Sequence, residues 1–365
     1  MFRRNFMKKL RNVLFVLSML VFAFVSACKE DTPTPEPTPT HTSTSSTVNV
    51  YVSGYYNDGS DGKLCYWKNG ERVDLPGGED IYGIAVSGGS VYVAGFDCDG
   101  SPFNACYWKD GVKTNLSGGT FSRAYGIAVA GGSVYIAGDS NNSGFHKACY
   151  WKDGIITDLL EGDAANGIAV SGGSVYVAGI YDNGSTYKPL YWKDGVKSDL
   201  PGGADSGNYS KYSSAYKIVV VEGSVYVAGR YYDGGACKAC YWKDGIKTDL
   251  PGGIDSGIMG IDSSAYGIAV SGGSVYVAGS YYDGSDYKPC YWKNGVKADL
   301  PIPPGTSIDI GCFFEIAVSE GSVYVAGYYY DGSAIPCYWK DGTRVDLPVP
   351  AGAYSWANGI AVVAN

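Results

Sequence analysis

From residue 48 onward the chain repeats one pattern of hydrophobic and polar positions. Residues 267–300 show it in full: Gly-Ile-Ala-Val-Ser, Gly-Gly, Ser-Val-Tyr-Val-Ala-Gly, a Tyr/Asp/Gly loop, Pro-Cys-Tyr-Trp-Lys, Asn-Gly, then Val-Lys-Ala-Asp-Leu-Pro. Four short runs rich in β-branched and aromatic residues are separated by Gly-Gly and by Asn-Gly or Asp-Gly, dipeptides that supply the positive φ of two-residue hairpins. Each unit therefore predicts a four-stranded antiparallel meander. Side chains along a strand alternate between faces, yet in Val91-Tyr92-Val93 and Ile84-Ala85-Val86 every one is apolar or aromatic. Both faces of each small sheet must be covered, and neighbouring copies supply the cover. No segment after residue 30 combines helical periodicity with caps.

The copies can be counted on Tyr-Trp-Lys, whose Trp stands at Trp67, Trp108, Trp151, Trp192, Trp242, Trp292 and Trp339, in steps of 41, 43, 41, 50, 50 and 47 residues. That spacing lies in the range of propeller repeats, and the large Trp is expected to fill the space between copies. The first copy opens at Val48-Asn49-Val50-Tyr51-Val52-Ser53-Gly54, which matches a second strand, and the chain ends on Gly359-Ile360-Ala361-Val362-Val363, the first strand that copy lacks. A C-terminal strand completing the first blade closes a ring and removes its exposed edge. The expected fold is thus all-β: residues 48–365 as one seven-bladed propeller of four-stranded antiparallel blades.

Ser271 to Gly279, a variable stretch, then Tyr291-Trp292 and Leu300-Pro301 resemble a kelch repeat. The resemblance covers essentially all of residues 48–365. The unit departs from the kelch pattern in closing its second strand with one Gly instead of a pair, and in setting Trp directly after Tyr. The whole is similar to tandem-repeat propeller lipoproteins of bacteria, and a kelch-like fold implies no particular chemistry.

The N-terminal 47 residues have a different character. A basic stretch is followed by an apolar run from Asn12 to Ala27, too short for a comfortable membrane span. Val25-Ser26-Ala27-Cys28 resembles the bacterial lipobox, which implies cleavage after residue 27 and acylation of Cys28; several acyl chains make a stable membrane anchor where one would not. Residues 28–47 then read as a lipidated Cys and a Pro/Thr/Ser spacer. Lys29-Glu30-Asp31 resembles the Lys-acid-acid signal that sends some Gram-negative lipoproteins to the outer face, so the expected location is the cell envelope, in the outer membrane and exposed at the surface. The 19 spacer residues, at ~3.1 Å each in polyproline II, reach about 60 Å.

Charge narrows the partners. The chain carries a net charge of −8, and loss of the five cations of the leader takes it to −13. No Lys/Arg stripe is present to offset this, so nucleic acid is excluded. The chain has 2 His, of which His41 lies in the spacer and His146 in a loop of the third copy, too few for a His-rich metal site. No cofactor, metal site or catalytic device is expected, and the near-identity of the copies argues against an enzyme, because a catalytic site needs unlike residues converging from several blades.

Cys65, Cys106, Cys149, Cys240, Cys290 and Cys337 occupy one repeated position that is Leu190 in the fourth copy, which marks them as small buried hydrophobes. Cys98 with Cys106, across one hairpin, is the pair best placed for a disulfide. The run from Asp139 resembles a calcium loop but has Tyr150 at its twelfth position, where Glu belongs; ordinary Asp-Gly turns account for such runs.

Loop lengths pick out a working face. Gly-Gly and Asp-Gly hairpins make one rim tight, and every longer segment emerges on the other, mostly after copies 4 to 7. That arc carries Tyr212, the tips Tyr232-Asp233, Tyr282-Asp283 and Tyr330-Asp331, then Tyr354 and Trp356, with Tyr56 next round the ring. Exposed Tyr and Trp offer flat amphipathic area that suits sugar faces or a protein hot spot. The expected role is a non-catalytic binding or scaffold module for a glycan or protein partner, with a purely structural surface protein or a glycan-processing enzyme as the alternatives.

Overall fold

A computed structural model describes residues 48–59, 62–98, 103–119, 121–141, 146–204, 212–254, 263–309 and 314–365. The leader, Cys28 and the spacer lie outside the described residues. The chain forms seven four-stranded antiparallel sheets, and among the described residues there is no helix. Blade 2 comprises Asp80–Ser87, Ser90–Asp97, Asn104–Lys109 and Val112–Asn115. Blades 3 to 7 repeat this order, with first strands Phe121–Ala130, Ala164–Ser171, Ser214–Val221, Ser263–Ser271 and Glu315–Ser319. Blade 1 holds Val48–Asn57, Gly62–Lys68 and Glu71–Leu75, and takes its first strand from Tyr354–Ala364, with Val50 opposite Val362 and Val52 opposite Ile360. Each first strand touches the next, and Tyr354–Ala364 touches Asp80–Ser87, so the seven propeller blades close into a ring around a central channel.

Three devices recur round the ring, two of them in all seven blades and the second in six. The Asn or Asp of the tight turn between third and fourth strands takes a φ of 48 to 52°, and its Oδ1 accepts the N–H of the Val that begins the second strand, as Asp153 does from Val134 at 2.9 Å. That second contact explains why the turn carries Asn or Asp rather than any residue tolerant of positive φ.

The second device is a β-bulge in the first strand. In blade 3 the pairing steps from Ala124↔Gly138 to Gly126↔Ala137 and leaves Tyr125 unpaired. The bulge presses the backbone so close that a Cβ on Gly138 would stand 1.9 Å from the Arg123 carbonyl. This close approach is why Val-Tyr-Val-Ala must end in Gly.

The third device is the Trp, completely buried in every blade. Trp67 packs in one cluster with Cys65, Val52 and Ile360 of its own blade and with Tyr324, Ala326 and Leu347 of blade 7. Its indole N–H donates to the Pro348 carbonyl at 2.9 Å. The same bond runs from Trp108 to Pro76, Trp192 to Leu160, Trp242 to Pro201, Trp292 to Pro251 and Trp339 to Pro301. The residue after each conserved-pattern Leu therefore stitches its blade to the next, and the seam between blades 7 and 1 is stitched like the rest.

The six repeated cysteines are buried beside these Trp, as their exchange with Leu190 implies. Burial pushes the Cys106 thiol up to about 12. The Cys98–Cys106 disulfide is corrected: both are free thiols. Cys106 faces Gly95 in the sheet, whereas the Cys98 thiol donates to Glu79 at 2.9 Å.

Candidate functional site at the channel mouth

The sevenfold pattern breaks at the N-terminal ends of the first strands, where they meet the long-loop rim. The unpaired bulge residues are Tyr82, Tyr125, Asn166, Tyr216, Tyr266 and Asn358, and Phe314 takes the matching place before blade 7. A bulge turns a side chain out of the alternating pleat, so six blades present an extra group toward the axis. The next position is Gly83, Gly126, Gly167, Gly267 and Gly359 in five blades, but Lys217 in blade 5 and Glu315 in blade 7. Gly267 lies between them, and a Cβ there would meet the Phe314 carbonyl at 2.8 Å and the Ile316 nitrogen at 2.9 Å. Over that gap Lys217 Nζ reaches Glu315 Oε2 at 2.8 Å. This pair, the six bulge residues and Phe314, with Arg123, Tyr212 and Ser214, frame a cavity of about 370 Å³.

Asp139 is fully buried beside it. Its carboxylate accepts from Arg123 Nε and Nη2 at 3.2 and 3.1 Å and from the Tyr125 hydroxyl, and it contacts His146 Nδ1. His146 also stands edge-on to Phe121, centroids 5.0 Å apart. Asp139 is therefore the hub of an ion-pair network, while residues 142–145 of its run lie outside the described residues. On the other side Tyr82 and Trp356 hydrogen-bond to Asp80, whose carboxyl burial pushes up to about 6 against those bonds and the Ile81 N–H. Burial likewise raises the Tyr82, Tyr125 and Tyr216 phenols, so they face the cavity as neutral rings. A second groove, of about 630 Å³, lies between blades 3 and 4 beside His146 and Lys197; it draws on two blades, whereas the central cavity draws on all but the tight-turn rim.

Of the residues singled out in the sequence, Tyr212 lines the central cavity. Tyr330, Tyr354 and Trp356 gather outside it: Trp356 stacks on Tyr55 at 4.3 Å, Tyr354 stands edge-on to Trp356 at 5.1 Å, and Tyr330 hydrogen-bonds with Tyr354 and Asp309. Tyr354 is 41% exposed. Tyr282 is half-buried and packs on Tyr287. The expectation of exposed tips is corrected at Tyr56 and Tyr232, which are buried. Tyr56 bonds to Asp74 at 3.1 Å beneath the Arg72 guanidinium, and the Tyr232 hydroxyl donates to Gly234 within its own turn at 2.7 Å. The tip carboxylates serve the turns. Asp233 accepts from Gly235 and Ala236 at 2.9 Å; although burial opposes it, these N–H groups and Lys238 bring Asp233 down to about 2. Asp283 does the same for Ser285 and Asp286, while Asp331 is exposed on its turn.

No protein-family model matches the chain, and no curated protein matches its sequence. Solved structures similar to it include an ulvan lyase of a polysaccharide lyase family, 11% identical over 72% of this chain and 81% of that one with a TM-score of 0.47. TolB from Acinetobacter baumannii is 12% identical over 84% and 82%, TM-score 0.47. A sialidase of Trypanosoma rangeli is 14% identical over 74% and 55%, TM-score 0.42. The expectation that the chain is not an enzyme is corrected. Structures named as a lyase and a sialidase stand among its likenesses. The premise of that expectation also fails, because the near-identical blades do bring unlike residues together: Arg123, Asn166, Lys217 and Glu315 from four blades.

Proposed function

We propose that this chain is a lipid-anchored envelope propeller that binds a glycan at the mouth of its central channel. The observation that supports it is the confinement of the asymmetry: the scaffold repeats seven times, and the copies diverge where Tyr82, Tyr125, Tyr212, Tyr216 and Tyr266 surround the cavity with amides and charges between them. Aromatic faces with neighbouring hydrogen-bonding groups match the apolar faces and hydroxyl edges of a sugar. Tyr354 and Trp356, stacked on Tyr55, extend that surface outward for a longer saccharide.

The test is a fluorescence titration of the protein against a panel of neutral and acidic oligosaccharides. Tyr212→Ala and Tyr125→Ala should each weaken binding by about 1 kcal/mol or more, and Val196→Ala, on the opposite rim and 70% exposed, should leave it unchanged. Sensitivity at Val196 instead would place the site elsewhere; binding of a protein and of no saccharide would replace the glycan reading. Product analysis of the same mixtures reads whether the saccharide is also cut.

The anchor rests on the basic leader, the apolar run and Val25-Ser26-Ala27-Cys28. Cells fed a palmitate analogue should label the wild-type chain and not Cys28→Ala. Label on the variant would dismiss lipidation at this residue.

A further inference from the structure

Behind the aromatic wall of the channel mouth, one cation has no carboxylate partner among the described residues. Arg230 lies on the second strand of blade 5, opposite Ser214 in the register, and is 5% exposed. The other two cations at the mouth are balanced, Arg123 by Asp139 and Lys217 by Glu315. Asp80 is held three blades away by Tyr82 and Trp356. Among the described residues no carboxylate pairs with Arg230, and its buried Nε–H has no acceptor. A buried charge without a partner is costly, and each such group calls for an explanation.

What surrounds Arg230 is aromatic. Its guanidinium lies 4.4 Å from the centroid of Tyr212 and 5.8 Å from that of Tyr216, and both of these aromatic rings line the cavity together with Ser214. Aromatic faces stabilise a cation and fix its plane, but they accept none of its in-plane N–H bonds. The guanidinium is thereby oriented with its Nε–H unspent. A planar fork of that kind matches two oxygens of a carboxylate or sulfate.

We propose that Arg230 anchors an anionic substituent, so that the site selects acidic saccharides bearing a carboxylate or a sulfate ester; this rests on the glycan reading above. In a chain with a net charge of −8, a cation without a carboxylate partner among the described residues is what lets an anionic ligand approach there.

The experiment is calorimetric titration of the full chain with three oligosaccharides of equal length: a polyuronate, a sulfated one and a neutral one. Wild type should bind at least one acidic oligosaccharide ten-fold or more tighter than the neutral one. R230Q should lose that preference while keeping its neutral affinity, and R230K, which keeps the charge but not the fork, should fall between. Whichever acidic arm binds identifies the substituent. Equal loss of acidic and neutral binding in R230Q would mean a structural role and overturn the proposal. Neutral binding without acidic preference in wild type would overturn it and leave the glycan reading intact, whereas no binding in any arm would remove both. Should R230Q not fold, R230K is read in its place.

Discussion

Removing residues 354–365 should cost the ring more than any single substitution, with a loss above about 4 kcal/mol and aggregation on concentration. The strand Tyr354–Ala364 is the innermost strand of blade 1, and it touches Asp80–Ser87 on one side and Glu315–Ser319 on the other. Its Ala357 and Ile360 are buried with Trp67, Val50 and Val52. Without it, Val48–Asn57 becomes an unpaired edge, ready to pair with another chain. Deleting residues 29–47 should leave the melting temperature unchanged. Thermal unfolding with light scattering compares the two truncations, and equal stability would show that closure is not what holds the ring.

Trp292→Ala should cost about 3 to 5 kcal/mol, the range for emptying a packed aromatic site, because Trp292 is completely buried and its departure also leaves the Pro251 carbonyl without its donor. Trp67→Ala is the informative comparison. Its contacts and its bond to Pro348 cross the seam between the two ends of the chain, so a closed ring predicts the same cost within about 1 kcal/mol for the two variants. Denaturant unfolding measures both. A near-neutral Trp67→Ala beside a costly Trp292→Ala would mean that blade 7 does not press on blade 1.

The scaffold was legible because each of its devices is written locally. Asp153-Gly154 states its turn by residue type alone, Cys149 declares its burial by exchanging with Leu190, and the mismatch of Val48 with Gly359 states the closure. The mouth was not legible in the same way. Tyr125 and Tyr216 differ from ordinary strand residues only through a bulge, which depends on how closely Gly138 and Gly229 approach the facing carbonyls. Lys217 and Glu315 are distant in sequence and meet because Gly267 leaves the space between their blades open. A usable signal existed: aligning the seven copies shows charge at Lys217 and Glu315 where five copies have Gly. The Tyr-Asp-Gly tips misled for the opposite reason. Their composition reads as solvent-facing loop, yet at Tyr232 the turn folds the aromatic ring back and ties its hydroxyl to Gly234.

The pairing of Val48–Asn57 with Tyr354–Ala364 also sets the order in which the molecule can be finished. Blades 2 to 7 each fold from one contiguous stretch of chain, and their hairpins can form as soon as they emerge. Blade 1 cannot. Its second, third and fourth strands leave the ribosome or translocon first, and its first strand leaves last, some tens of seconds later at about 5–20 residues per second. During that interval the edge of Val48–Asn57 stays open, and the longest-range contacts in the molecule are still to be made. The earliest part of the ring to be synthesised is the last to be completed, so the vulnerable moment of this fold, when a chaperone or a second chain could occupy the vacant place, lasts until Tyr354–Ala364 emerges.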